Sequence, residues 1–182
     1  GSTLASKDWH GKGVPYLKSK DCKWCSGYKN YVWDYELSFA GLTGYLNQRG
    51  EKVRKINKVH FEHDSNGRVK LVHISHKDGK LKVSGTIFRQ MISASKVRST
   101  IFKSVGIAEN DNHKSNNKGE LAIMQILVDY NRRFSKLKLR GTGFGHGVGL
   151  CQWGAKGLAK QSLKYPDILK YYFTGVSLEK IY

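Results

Sequence analysis

The chain has 182 residues, of which 39% are hydrophobic and 12% aromatic, enough apolar content for one folded domain and too much for a disordered tail. Its 32 lysines and arginines against 14 aspartates and glutamates give a formal net charge of +18, which favours a polyanionic partner: nucleic acid, anionic lipid or an acidic cell-wall polymer. No run of 18 apolar residues occurs, so no transmembrane segment is expected, and no export signal is visible in these residues.

Residues 1–31 show little periodicity and predict irregular structure pinned by Trp9, Tyr16, Leu17 and Trp24. Cys22 and Cys25 form a CxxC pair, and Cys151 makes the cysteine count odd. The pair suits a disulfide, half of a zinc site or a redox couple. The redox reading wants a strand before and a helix after, which the local glycines and lysines do not offer. Cys22, Cys25 and Cys151, with a histidine or an acid as fourth ligand, would suit a structural zinc. The alternative is a Cys22–Cys25 disulfide with Cys151 as a small buried side chain.

Alternation from Tyr31 to Tyr35 predicts a strand, and Ser38 is placed to cap a helix with Leu42, Tyr45 and Leu46 on one face, closed by Gly50. Residues 52–62 alternate through Val53, Ile56, Val59 and Phe61. Asn66-Gly67 and Asp78-Gly79 are turn signals flanking the run through Val69, Leu71 and His73, so a β-meander is expected. His60, His63, His73 and His76 read as exposed strand residues, because His60 and His63 fall on opposite faces and cannot share a metal. A helix over 86–94 with Ile87, Met91 and Ala94 on one face is followed by a strand over 99–107. Residues 110–118 read as an exposed loop. Residues 122–139 fit a hairpin, and a helix starting at Glu120 fits almost as well. Helices are predicted over 152–161 and 165–173. Runs of strands mixed with short helices describe an α+β fold over a single domain, 1–182: an antiparallel meander with short helices and a glycine-rich loop leading into C-terminal helices.

The informative stretch is Gly141-Thr142-Gly143-Phe144-Gly145-His146-Gly147-Val148-Gly149-Leu150-Cys151-Gln152-Trp153-Gly154-Ala155-Lys156-Gly157. Alternate glycines allow positive φ and close backbone approach. Neither the dinucleotide-binding pattern nor a phosphate-loop lysine is present. The imidazole of His146, the amide of Gln152 and the indole of Trp153 suit the hydroxyl and N-acetyl groups of a sugar polymer. The competing reading is a tight strand-to-helix turn around a buried histidine. His146, Gln152 and Trp153 are expected to face one cleft together with Tyr16 and either Tyr171 or Tyr172. Gly145 and Gly147 would leave room for a glycan, and Lys156 completes the expected binding set. Tyr28, Tyr31, Trp33 and Tyr35, interleaved with basic residues, also suit stacking on sugar rings. No helix-turn-helix, RRM or zinc-finger spacing appears, so nucleic acid is not the expected partner.

The segment from Gly143 to Ala159, followed by Tyr165, Ile168-Leu169, Tyr171-Tyr172-Phe173 and Gly175, resembles the C-terminal signature of the stage II sporulation protein D (SpoIID/LytB) family. Pro15-Tyr16-Leu17, Trp33, Ser84-Gly85-Thr86-Ile87-Phe88-Arg89 and Arg98-Ser99-Thr100-Ile101-Phe102 resemble further family segments in the same order. The CxxC pair and Cys151 are similar to the chlamydial-type branch. The resemblance implies a protein of the cell envelope that acts on peptidoglycan glycan strands, either as a lytic transglycosylase on peptide-stripped glycan or as a non-catalytic binding or amidase-enhancer module that serves another cell-wall hydrolase. Transglycosylation needs one carboxylic acid to protonate the glycosidic oxygen, after which the sugar's C6 hydroxyl attacks C1 to give a 1,6-anhydro end. It needs no cofactor. The family carries that glutamate on a helix upstream of the Pro-Tyr-Leu segment, and these residues do not include that helix. Glu120, in Glu120-Leu121-Ala122-Ile123-Met124-Gln125, echoes it in the wrong order and is the one candidate acid.

Overall fold

The computed structural model describes residues 3, 13–27, 29, 31–105 and 136–181, with the side chains of Cys25 and Ser26 left out. Trp9, Tyr28, Glu120 and the segments expected over 106–135 lie outside the described residues. The rest divides into two units, residues 1–32 with 143–182 and residues 33–142.

In the second unit the described elements run β1 (Val32–Ser38), α1 (Phe39–Gln48), β2 (Ile56–His63), β3 (Val69–His76), β4 (Gly79–Ser84), α2 (Gly85–Ile92), β5 (Phe102–Val105) and β6 (Lys136–Thr142). They form two three-stranded sheets, ordered β2-β3-β4 and β1-β6-β5. The first is the expected antiparallel meander, with Phe61 opposite Val72 and Val72 opposite Val83. The second pairs β5 with β6 antiparallel, Phe102 opposite Gly141. Ion pairs from Asp34 to Arg140 and Glu36 to Lys138 step along β1 and β6 in opposite directions. The α+β expectation holds.

Local chemistry accounts for the element ends. Ser38 caps α1 by accepting from the Gly41 N–H at 3.0 Å, and Leu42 and Leu46 go fully into the core. The strand expected over 52–62 begins only at Ile56. The Asn47 amide takes both backbone groups of Val53, donating to its carbonyl and accepting from its N–H, which removes Val53 from any ladder. Helix α2 starts one residue before the expected position, because Ser84 accepts from the Ile87 N–H at 3.1 Å. It buries Gly85, Phe88, Arg89 and Ile92. Ile87 and Met91 only flank that face, and Ala94 lies past the helix. The core therefore receives Phe88, whose ring meets those of Phe61 and Phe102.

The strand histidines have structural partners. His63 Nε2 lies 2.9 Å from the Phe102 carbonyl. His73 Nε2 lies 3.0 Å from Glu62, and that hydrogen bond holds the Glu62 carboxyl below its ordinary range. His76 is half-buried beside Asp78.

In the first unit a 3₁₀ turn, Trp24–Gly27, is followed after the glycine loop by α3 (Gln152–Lys160) and α4 (Tyr165–Tyr172). Pro166 opens α4, where a missing N–H costs nothing. Leu158, Ile168 and Tyr172 form the buried cluster, flanked by Trp24, Leu150, Cys151 and Phe173.

Candidate functional site

The chain enters the first unit at Gly143, whose N–H donates to the Tyr31 carbonyl at 2.6 Å. Gly143, Gly145, Gly147 and Gly149 all take positive φ, at 83°, 121°, 78° and 76°. A side chain at these positions would be strained, so the alternation in the sequence is the conformational code of the loop. His146 is exposed on it. The Val148 N–H donates to His146 Nδ1 at 3.0 Å, so Nδ1 is unprotonated and the neutral ring carries its proton on Nε2. The buried-histidine reading is thereby excluded.

Cys151 ends the loop as the N-cap of α3, its sulfur accepting from the Gly154 N–H at 3.4 Å. Gln152 and Trp153 open the helix, and both are exposed. Lys156, one turn on, sets its ammonium 4.8 Å from the centre of the Trp153 ring, a cation–π contact. A cavity of about 450 Å³ is lined by Thr3, Tyr31 and the loop from Gly143 to Trp153, a volume within the range of small-ligand pockets. His146, Gln152, Trp153, Gly145 and Gly147 thus share one cavity. Lys156, expected in the same set, contacts Trp153 and is not among the lining residues.

The tyrosines expected beside them pack elsewhere. Tyr16 meets the edge of Phe173 at 6.3 Å, and its carbonyl accepts from the Thr174 N–H. Tyr171 donates its hydroxyl to the Asp21 carbonyl at 2.7 Å. Tyr172 is buried, its hydroxyl 4.0 Å from Cys22 Sγ. Burial first, then the Cys22 and Cys151 sulfurs, push that hydroxyl far above the usual phenol range, so it stays a proton donor. Of the residues expected to stack on sugars, Trp33 is buried in the second unit against Phe102.

Phe144 and Thr3 are among the lining residues outside the expected binding set. Phe144 is 61% exposed, and its place between two positive-φ glycines was the available signal. Thr3 is buried: its carbonyl accepts from the Ser19 hydroxyl, its hydroxyl accepts from the Lys20 N–H, and its own N–H donates to the Lys20 carbonyl, a contact no local pattern announces.

Gly154 and Gly157 lie in the helix expected over 152–161, and there they are packing residues. A β-carbon on Gly154 would fall on the Tyr172 hydroxyl and 2.7 Å from Cys22 Sγ, and one on Gly157 would fall on the Trp24 ring. Cys22 and Cys151 meet, their sulfurs 3.5 Å apart. Among the described residues no group of three or more His, Cys, Asp or Glu side chains is placed to hold a metal; the Cys25 side chain lies outside them. Among the described residues that line the cavity there is no carboxylate.

No family model matches the chain. The chain is similar to an amidase enhancer. That relative, from Bacillus subtilis, is 30% identical over 143 residues, covering 79% of this chain and 16% of the relative. Stage II sporulation protein D of Bacillus amyloliquefaciens is 36% identical over 61 residues, covering 34% of this chain and 18% of the relative. An uncharacterized protein of Brachyspira hyodysenteriae is 27% identical over 179 residues, covering 98% of this chain and 40% of the relative. The chain spans less than half the length of each. These relatives agree with the SpoIID/LytB resemblance and lend no support to the chlamydial-type branch. No helix of the described residues is long and apolar enough to cross a membrane.

Proposed function

We propose that this chain is a peptidoglycan-binding module of the SpoIID/LytB type, working at the cell envelope, and that it seats a glycan strand in the glycine-loop cavity. The observation that carries the reading is the convergence of His146, Gln152 and Trp153 on a loop whose alternate glycines leave the backbone open. The His146 Nε2–H is suited to donate to a sugar hydroxyl or acetamido oxygen, and the Gln152 amide can both donate and accept. The Trp153 and Phe144 rings offer apolar faces to sugar rings. A net charge of +18 draws the chain to an anionic wall. The names of the relatives, amidase enhancer and stage II sporulation protein D, support the same setting.

Two activities fit such a module. One is lytic transglycosylation of peptide-stripped glycan. The other is binding without cleavage, in support of a separate cell-wall hydrolase. The lack of a carboxylate among the described lining residues favours the second for this chain by itself, since the first requires a protonated carboxylic acid beside the glycosidic oxygen. Neither role calls for a cofactor.

Retention of the purified chain on peptide-stripped glycan tests the binding site. His146→Ala is expected to weaken retention by about tenfold, the worth of one or two polar contacts, with the melting temperature nearly unchanged because the side chain is exposed. Equal retention by the variant, or equal retention of the parent chain on DNA, would sink the reading. Mass spectrometry of the incubated glycan tests cleavage: no new 1,6-anhydro ends are expected. Abundant ends would assign transglycosylase activity to this chain, with Glu120→Gln the first variant to make.

A further inference from the structure

Cys22 and Cys151 are 129 positions apart in the chain, yet their sulfurs meet 3.5 Å apart at the start of α3. Cys151 is the N-cap, with the Gly154 N–H on its sulfur. Cys22 Sγ rests against Gly154 itself, in space that any larger residue would occupy. The two thiols differ in access. Cys22 is 2% exposed, whereas Cys151 is half-buried and lines the cavity.

We infer that Cys22 and Cys151 form a reversible disulfide, which ties the segment before the 3₁₀ turn to the wall of the cavity. The Cys151 thiolate attacks one sulfur of an external disulfide, such as oxidised glutathione, and releases one thiol. The Cys22 thiolate then attacks the Cys151 sulfur of the mixed disulfide and releases the second. One S–S bond forms in the protein and one breaks in the oxidant. The two cysteine protons end on the two released thiols. Cys151 is the attacking residue because Cys22 is closed to an external disulfide. An S–S bond is about 2.05 Å long, so the 3.5 Å gap closes by about 1.5 Å, within reach of side-chain rotation and a small backbone adjustment. Cys25 is left as the third thiol, in contrast to the Cys22–Cys25 pairing that the CxxC spacing suggests.

The test equilibrates the purified chain with oxidised and reduced glutathione, alkylates the remaining thiols and maps the peptides by mass spectrometry. The expected product joins the Cys22 and Cys151 peptides, about 2 Da lighter than the two thiol peptides together, with the alkyl group on Cys25. Cys25→Ser should give the same linkage. Cys151→Ser should abolish it, and that exposed-side variant avoids disturbing the buried Cys22. The oxidised chain should melt several degrees above the reduced one, because the bond closes a long loop. A Cys22–Cys25 linkage, three alkylated thiols in the oxidising buffer, or one zinc per chain holding the thiols until a chelator is added would each overturn the inference. None of these readouts depends on glycan binding.

Discussion

Truncation of Phe88 to alanine is expected to remove about 3–5 kcal/mol of stability, the largest loss of any single substitution considered. Phe88 is fully buried. Its ring centre lies 5.7 Å from that of Phe61 on β2 and 6.0 Å from that of Phe102 on β5, and those two are 5.3 Å apart. The three rings join α2 to both sheets of the second unit. Alanine would lose the transfer energy of the ring and leave a cavity that three surrounding elements cannot easily close. Domains of ordinary stability have about 5–15 kcal/mol in total, so the variant should melt roughly 6–20 °C lower and be close to unfolded at the lower end of that range. Thermal and denaturant unfolding give the number. A loss below about 1 kcal/mol would mean that the aromatic cluster repacks around the gap, and the account of the core would fail.

Alanine at Gly154 is expected to destabilise the chain even though alanine is the better helix former. In an exposed helix the change would gain about 1 kcal/mol. Here the new methyl would fall on the Tyr172 hydroxyl and 2.7 Å from Cys22 Sγ, and both partners are buried, at 1% and 2% exposure. Overpacking of this kind costs about 1–3 kcal/mol, and two immobile neighbours put it at the upper end, for a net loss of about 1–2 kcal/mol. The melting temperature should fall by roughly 2–8 °C. Glycan retention should fall with it, because the displaced turn carries Cys151, Gln152 and Trp153. His146→Ala is expected to lose retention alone. The pair therefore separates a packing residue from a contact residue: an unchanged or raised melting temperature for Gly154→Ala would show that α3 shifts freely and that its start is not fixed by Tyr172 and Cys22.

Features that depend on a few neighbouring residues were legible in the amino-acid sequence. Ser38 caps α1 because its hydroxyl needs only the Gly41 N–H three positions on. Asn66-Gly67 and Asp78-Gly79 turn the meander because glycine takes positive φ at 67 and 79. The glycine loop into α3 was legible for the same reason. So was the grouping of His146, Gln152 and Trp153, since a short loop and one helical turn place them together. Where several local solutions were nearly equal in energy, long-range packing selected among them. Periodicity allowed α2 to bury Ile87 and Met91, and the close seat of Gly85 on the Val69 carbonyl turned Phe88 inward. The alternation of Val53 fitted a strand until the Asn47 amide claimed its backbone. Strand β1 pairs with β6 across about a hundred residues, and Cys22 meets Cys151 across 129. Tyr16 packs on Phe173 and not in the cavity. Each of these depends on the path of the whole chain, which sets the partners that compete for a backbone group or a buried face, and no local pattern encodes that path.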